Sequence, residues 1–177
     1  MNKIASEIIK YRVTYLEMKN RPSFDWPKTL KHKLTILKAE NIPSWYFLFF
    51  YKQVGKNYYW TDWLNKTDKE VNDFVNDKNV IFYTLIKDGW PVGFFMLDYR
   101  TINICNLSFL GLVEEAIGIG LGEYLLKTAI LTAWDSKKIE TLTVNTCSHL
   151  IIKELYNYTK KMVFHPLNLK ILKNMFN

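Results

Sequence analysis

Between Leu107 and Leu126 the chain reads LSFLGLVEEAIGIGLGEYLL, an apolar strand-like run that passes through Gly118, Gly120 and Gly122 into residues with helical apolar spacing. Few patterns restrict a backbone as much as a strand that enters a helix through alternating glycines. Glycine has no Cβ, so the chain can curl until successive N–H groups converge, and the following helix turns its partial positive end on the same point. The pattern predicts an anion cradle with phosphate as the natural occupant.

The elements around this segment follow from periodicity and turn chemistry. Arg12 to Glu17 alternates as a strand, and the stretch from Asn20 to Pro43, with three prolines, reads as loop with one or two short helices. Thr67-Asp68-Lys69-Glu70 has capping-box spacing ahead of Val71, Phe74 and Val75, predicting a helix over Asp68 to Asn76. Val80 to Ile86, the Asp88-Gly89 pair and Pro91 to Leu97 form a hairpin pattern. A strand over Ile102 to Leu112, a helix over Leu121 to Trp134, a strand over Thr141 to Cys147, a helix over Leu150 to Tyr158 and a strand over Met162 to Leu169 complete the order β-β-β-α-β-α-β from Val80. No repeat, low-complexity tract or linker interrupts it, so residues 1–177 are expected to form a single domain of mixed α and β structure.

Composition narrows the function classes. The longest uninterrupted apolar run, Trp45 to Tyr51, is far too short to span a bilayer, and no secretory pattern opens the sequence, which predicts a cytoplasmic protein without membrane association. Cys105 and Cys147 both fall in strand-like runs and are expected to be buried reduced thiols, with no metal site. The net charge of +7 favours polyanions or phosphorylated ligands, yet the lysine clusters near both termini lack the aromatic interleaving of a nucleic-acid platform.

Taken together, the element order and the strand-glycine-helix segment resemble the GNAT superfamily of acetyl-CoA-dependent N-acetyltransferases, whose loop reads Gln/Arg-x-x-Gly-x-Gly/Ala. The corresponding window here is Ile117-Gly118-Ile119-Gly120-Leu121-Gly122. A narrower likeness to a bacterial subgroup covers about Tyr46 to Pro166 through Trp60-Thr61-Asp62, Val92-Gly93-Phe94-Phe95, Leu110-Gly111-Leu112, Ile117-Gly118, Ala133-Trp134 and Asn145-Thr146-Cys147. The resemblance implies an α+β fold with a mixed, mostly antiparallel sheet flanked by helices, its strands splayed where acetyl-CoA binds. Leu110, Gly111 and Leu112 would then offer main-chain groups to the pantetheine arm. The backbone of Ile117, Gly118, Ile119, Gly120, Leu121, Gly122 and Glu123 would hold the diphosphate.

By the same correspondence the position that often carries a glutamate base is Asn106, which cannot take up a proton but could position a water, or simply face a polar cleft. The acid of the family is a tyrosine near the end of the chain. Strict spacing puts Thr159 there, with Tyr158 one residue away and Tyr156 three, and Tyr158 is the phenol chosen. Ile117 and Ile119 replace cationic residues of the loop and Met96 replaces a glutamate, with Lys127 as a nearby compensating cation. His149 and Asp98 are read as a junction and a turn residue. The expected activity is acetyl transfer from acetyl-CoA to a small-molecule or peptide amine by direct attack in a ternary complex. A non-catalytic CoA-binding module and a basic nucleic-acid-binding domain are the alternatives. The aromatic stretch between Asn20 and Asp62 would serve a buried cluster, an acceptor wall or a homodimer contact equally well.

Overall fold

Asp88 and Gly89 take φ values of 51° and 94° and reverse the chain between β3 (Val80–Lys87) and β4 (Trp90–Asp98). Both angles are left-handed, which an Asp-Gly pair tolerates and most residues do not. The computed structural model, which describes residues 9–28, 33–56, 58, 60–147 and 165–174, builds a seven-stranded sheet around this hairpin. β5 (Ile104–Leu112) adds antiparallel to β4, and α3 (Leu121–Ser136) carries the chain over to β6 (Thr141–Cys147), which runs parallel to β5. β2 (Leu34–Ala39) pairs antiparallel with β3. β1 (Ile9–Met18) lies antiparallel between β6 and β7 (His165–Asn174), giving the order β2-β3-β4-β5-β6-β1-β7. The fold is therefore the expected α+β arrangement, with a mostly antiparallel sheet.

The two faces of the sheet carry different cores. Under α3, Leu121, Leu125, Ala129 and Ile130 pack on Leu16, Met18, Leu97, Leu107 and Leu142. On the opposite face, α1 (Ser44–Gly55) and α2 (Asp68–Val75) pack an aromatic layer in which Phe47, Phe50 and Phe74 meet Phe82 and Phe94. The Phe82 and Phe94 rings stack at 5.3 Å, and Phe109 of β5 joins the layer against Phe47, Tyr51 and Trp60.

Several boundaries differ from the sequence reading for tertiary reasons. Within the stretch expected to be loop and short helices, Leu34–Ala39 is a strand, because six residues of weak pattern find a paired edge on β3. The aromatic run Ser44–Gly55 becomes a helix through burial of Phe47, Phe50, Tyr51 and Val54 rather than through propensity. The third hairpin strand begins at Ile104, since Ile102 sits 86% exposed in the preceding turn. The first strand extends to Ile9–Met18, and the last, expected over Met162 to Leu169, covers His165–Asn174, with Met162 to Phe164 outside the described residues. The helix expected over Leu150 to Tyr158 lies outside the described residues. At α2 the capping box forms as read: the Glu70 amide donates to Thr67 Oγ1 at 3.3 Å and the Thr67 amide to Glu70 Oε2 at 2.9 Å. Lys66 and these Thr67 donors hold the Glu70 carboxyl down at about 2.

Two outcomes test this packing. Leu16 is 1% exposed in a strand enclosed on both sides, so Leu16→Ala should destabilise the protein by about 2–5 kcal/mol in urea unfolding. Burial pushes the Cys105 thiol up to about 12, so peptide mapping should find it unalkylated by iodoacetamide at pH 8 in the native protein and alkylated once urea unfolds the chain.

Candidate functional site

The β5–β6 ladder runs from Ile104↔Thr141 to Leu107↔Val144 and stops, although β5 continues to Leu112 and β6 to Cys147. β5 stays paired with β4 as far as Gly93↔Leu112, and β6 stays paired with β1 as far as Val13↔Cys147, so the two strands part in the middle of the sheet. A bulge accounts for the parting. Leu97 lies opposite Leu107 and Met96 opposite Phe109, which leaves Ser108 without a counterpart on β4. An extra residue bends its strand and increases its twist, here at the point where pairing to β6 ends. Residues 108–112 are accordingly half-buried although they stand in the middle of the sheet order.

Alternation along β5 decides which main-chain groups line the parted edge. The Val113 amide donates to the Val92 carbonyl at 2.9 Å, so Gly111, two residues earlier, also faces β4 and Leu110 and Leu112 face the opening. Gly111 has a packing role as well: a Cβ there would lie 2.2 Å from Val54 Cγ1 of α1. The close approach that the glycine permits is thus made by α1.

Beyond β5 the chain makes a short 3-10 turn over Glu114–Ala116 and enters the glycine segment. Gly118 and Gly120 both take φ of 84°, and a Cβ at either would meet nothing within 4 Å, so the segment borders open space. Gly120 caps α3 with its backbone alone; no side chain caps this helix. The Tyr124 amide reaches the Gly120 carbonyl at 3.5 Å, and among the described residues the amides from Gly118 to Glu123 have no hydrogen-bond partner. Ile117 differs, because its amide donates to the Glu114 carbonyl at 3.2 Å. The two cations beside the segment are engaged locally, Lys127 with Glu123 at 2.6 Å and Lys56 with Glu114 at 2.8 Å. Ile117 and Ile119 expose apolar side chains. Donor strength here comes from peptide groups and the helix dipole.

Asn106 sits beside the bulge in a fixed orientation. Its Nδ2 donates to Thr143 Oγ1 at 2.9 Å, and its Oδ1 accepts from Ser108 Oγ at 2.9 Å. Asp98 lies opposite Asn106 on β4, but Arg100 takes its carboxylate with Nε at 3.0 Å and Nη2 at 2.7 Å. Met96 is buried in the aromatic layer and Cys105 under α3. Tyr156, Tyr158, Thr159 and His149 lie outside the described residues. Sequence reading passed over Ser108 and Thr143, whose only signal was a polar side chain inside an apolar strand pattern.

No protein-family model matches the chain, and no curated protein matches it in sequence. Solved structures do match. A GCN5-related N-acetyltransferase from Kribbella flavida superposes with a TM-score of 0.61 at 12% identity, over 96% of this chain and 59% of its own. A GNAT-family protein from Novosphingobium aromaticivorans gives 0.61 at 13% identity, over 95% and 66%. An aminoglycoside acetyltransferase from an uncultured soil metagenomic sample gives 0.56 at 12% identity, over 73% and 87%. The chain spans 59%, 52% and 53% of the length of three longer structures that it matches. Among the described residues no helix is long and apolar enough to cross a membrane. With its parted strands, backbone-capped helix start and sheet order, the chain has the fold of the GCN5-related N-acetyltransferases.

Proposed function

We propose that the chain binds acetyl-CoA along the parted edge of β5 and transfers its acetyl group to an amine. The observation that carries this reading is the run of unpartnered amides from Gly118 to Glu123 at the end of a gap between two central strands. The residues fit the group: the glycine segment borders open space, and its donors suit a diphosphate. Leu110 and Leu112 would pair with the amide groups of the pantetheine arm, and Gly118 to Glu123 would hold the diphosphate. When bound, the coenzyme supplies an acetyl thioester.

The chain's own residues supply position and dipoles. Asn106 and Ser108, locked to each other and to Thr143, present a preorganised polar edge where the strands part. Asn106 takes up no proton, so its contribution is to orient a water or the acceptor. Cys105 is no nucleophile, since its thiol keeps its proton far above neutrality. Direct attack by the acceptor amine is the route consistent with that. Tyr158 remains our proposal for the acid.

Gly122 offers a clean test. A Cβ there meets only Leu112 Cδ1, at 4.0 Å, so Gly122→Asp should fold normally and even favour the helix start, while its carboxylate repels the diphosphate. Calorimetry should show CoA binding to the parent chain and at least tenfold weaker binding to the variant, with a melting temperature no lower than the parent's. Acetyl-CoA turnover over an amine panel then reads the transfer. Binding without turnover would identify a CoA-binding module, and failure to bind CoA would overturn the proposal.

A further inference from the structure

One row of side chains crosses the sheet where β5 and β6 begin to part. Asp98, Asn106, Thr143 and Glu17 occupy successive directly opposite positions on β4, β5, β6 and β1. Opposite residues share a face, and the flanking Leu107, Val144, Leu142, Leu16 and Met18 all belong to the core under α3. Asn106, Thr143 and Glu17 therefore lie on the other face, half-buried, and Asn145 of β6 is exposed beside them. A polar, solvent-reached strip in the interior of a sheet is unusual, because the same face of β3 and β4 is sealed by aromatics.

The two carboxylates of the row differ. Asp98 is 14% exposed and neutralised by Arg100, which also donates its amide to it at 2.9 Å. Glu17 is 17% exposed and meets Lys19 Nζ at 3.3 Å, from a side chain that is 66% exposed. Such a pair exchanges at little cost. At strand spacing the Glu17 Cβ is about 10 Å from that of Asn106, so a small cation bound at Glu17 lies over Thr143 and next to the bulge. We infer that Glu17 holds an ammonium group of the acceptor, with Lys19 occupying that place in its absence, and that the acceptor is accordingly a cationic amine. This rests on the acyltransfer reading above. Glu17 is a binding residue whose carboxylate sets which acceptors are taken, and the Asn106–Thr143 contact fixes the floor on which they rest.

The test uses 1,4-diaminobutane as probe and neutral butane-1,4-diol as control, followed by backbone amide NMR shifts, with and without saturating CoA. The diamine should produce saturable shifts at Asn106, Thr143 and Leu16 to Met18, and the diol none. Glu17→Gln should weaken the diamine at least tenfold. Lys19→Ala, at an exposed position that leaves folding intact, should strengthen it severalfold. Equal affinity in Glu17→Gln, equal shifts with the diol, or no saturable binding in either condition overturns the inference. If the diamine binds as stated but calorimetry shows no CoA binding, the acyltransfer reading fails and the amine site stands. If CoA binds and Glu17→Gln changes nothing, the Glu17 inference alone fails.

Discussion

The end of pairing between β5 and β6 after Leu107↔Val144 governs the rest of the molecule. A sheet left unpaired in its middle exposes backbone donors and acceptors that must find water or a ligand. Here the cost is contained because each strand keeps its other neighbour, β4 for β5 and β1 for β6. The bulge at Ser108 sets where the strands diverge, and Gly111 against Val54 lets α1 brace the diverging half of β5 from behind. Chain connectivity does the remainder. β5 leads directly into the glycine segment and α3, so the donor-rich helix start necessarily stands at the open end of the gap.

Electrostatics in this region rests on the backbone. The isoleucines at 117 and 119 contribute no charge, and Lys127 and Lys56 are each held by a glutamate. The net charge of +7 acts at longer range and gives the surface a field that attracts anions. Across the bulge the sign reverses. Glu17 places negative charge on the face away from α3, apart from the donor-rich glycine segment at the open end of the gap.

Legibility of the fold in the sequence tracked how local each signal was. The Asp88-Gly89 turn, the Thr67/Glu70 box and the glycine segment depend on nearest neighbours, and each formed where it was read. Leu34–Ala39 and Ser44–Gly55 depend on partners far along the chain, the edge of β3 and the aromatic layer, and local pattern misassigned the first and passed over the second. At the candidate site, motif singled out Asn106, Leu110 to Leu112 and Ile117 to Glu123, which the structure sets along β5 and at the start of α3. Ser108, Thr143 and Glu17 escaped because a bulge and a cross-strand row exist only once register is set.

Sequence by itself determined the turn chemistry, the glycine-led helix start and the order β3-β4-β5-α3-β6, since these follow from φ preferences and apolar period. Tertiary structure decided that β1 is enclosed between β6 and β7, that Gly111 serves packing against α1, and that Glu17 stands in line with Asn106. The physical reason is range. Backbone preferences act over a few residues, whereas strand neighbours separated by more than a hundred residues are selected by the joint burial of both faces of the sheet, which no local window contains.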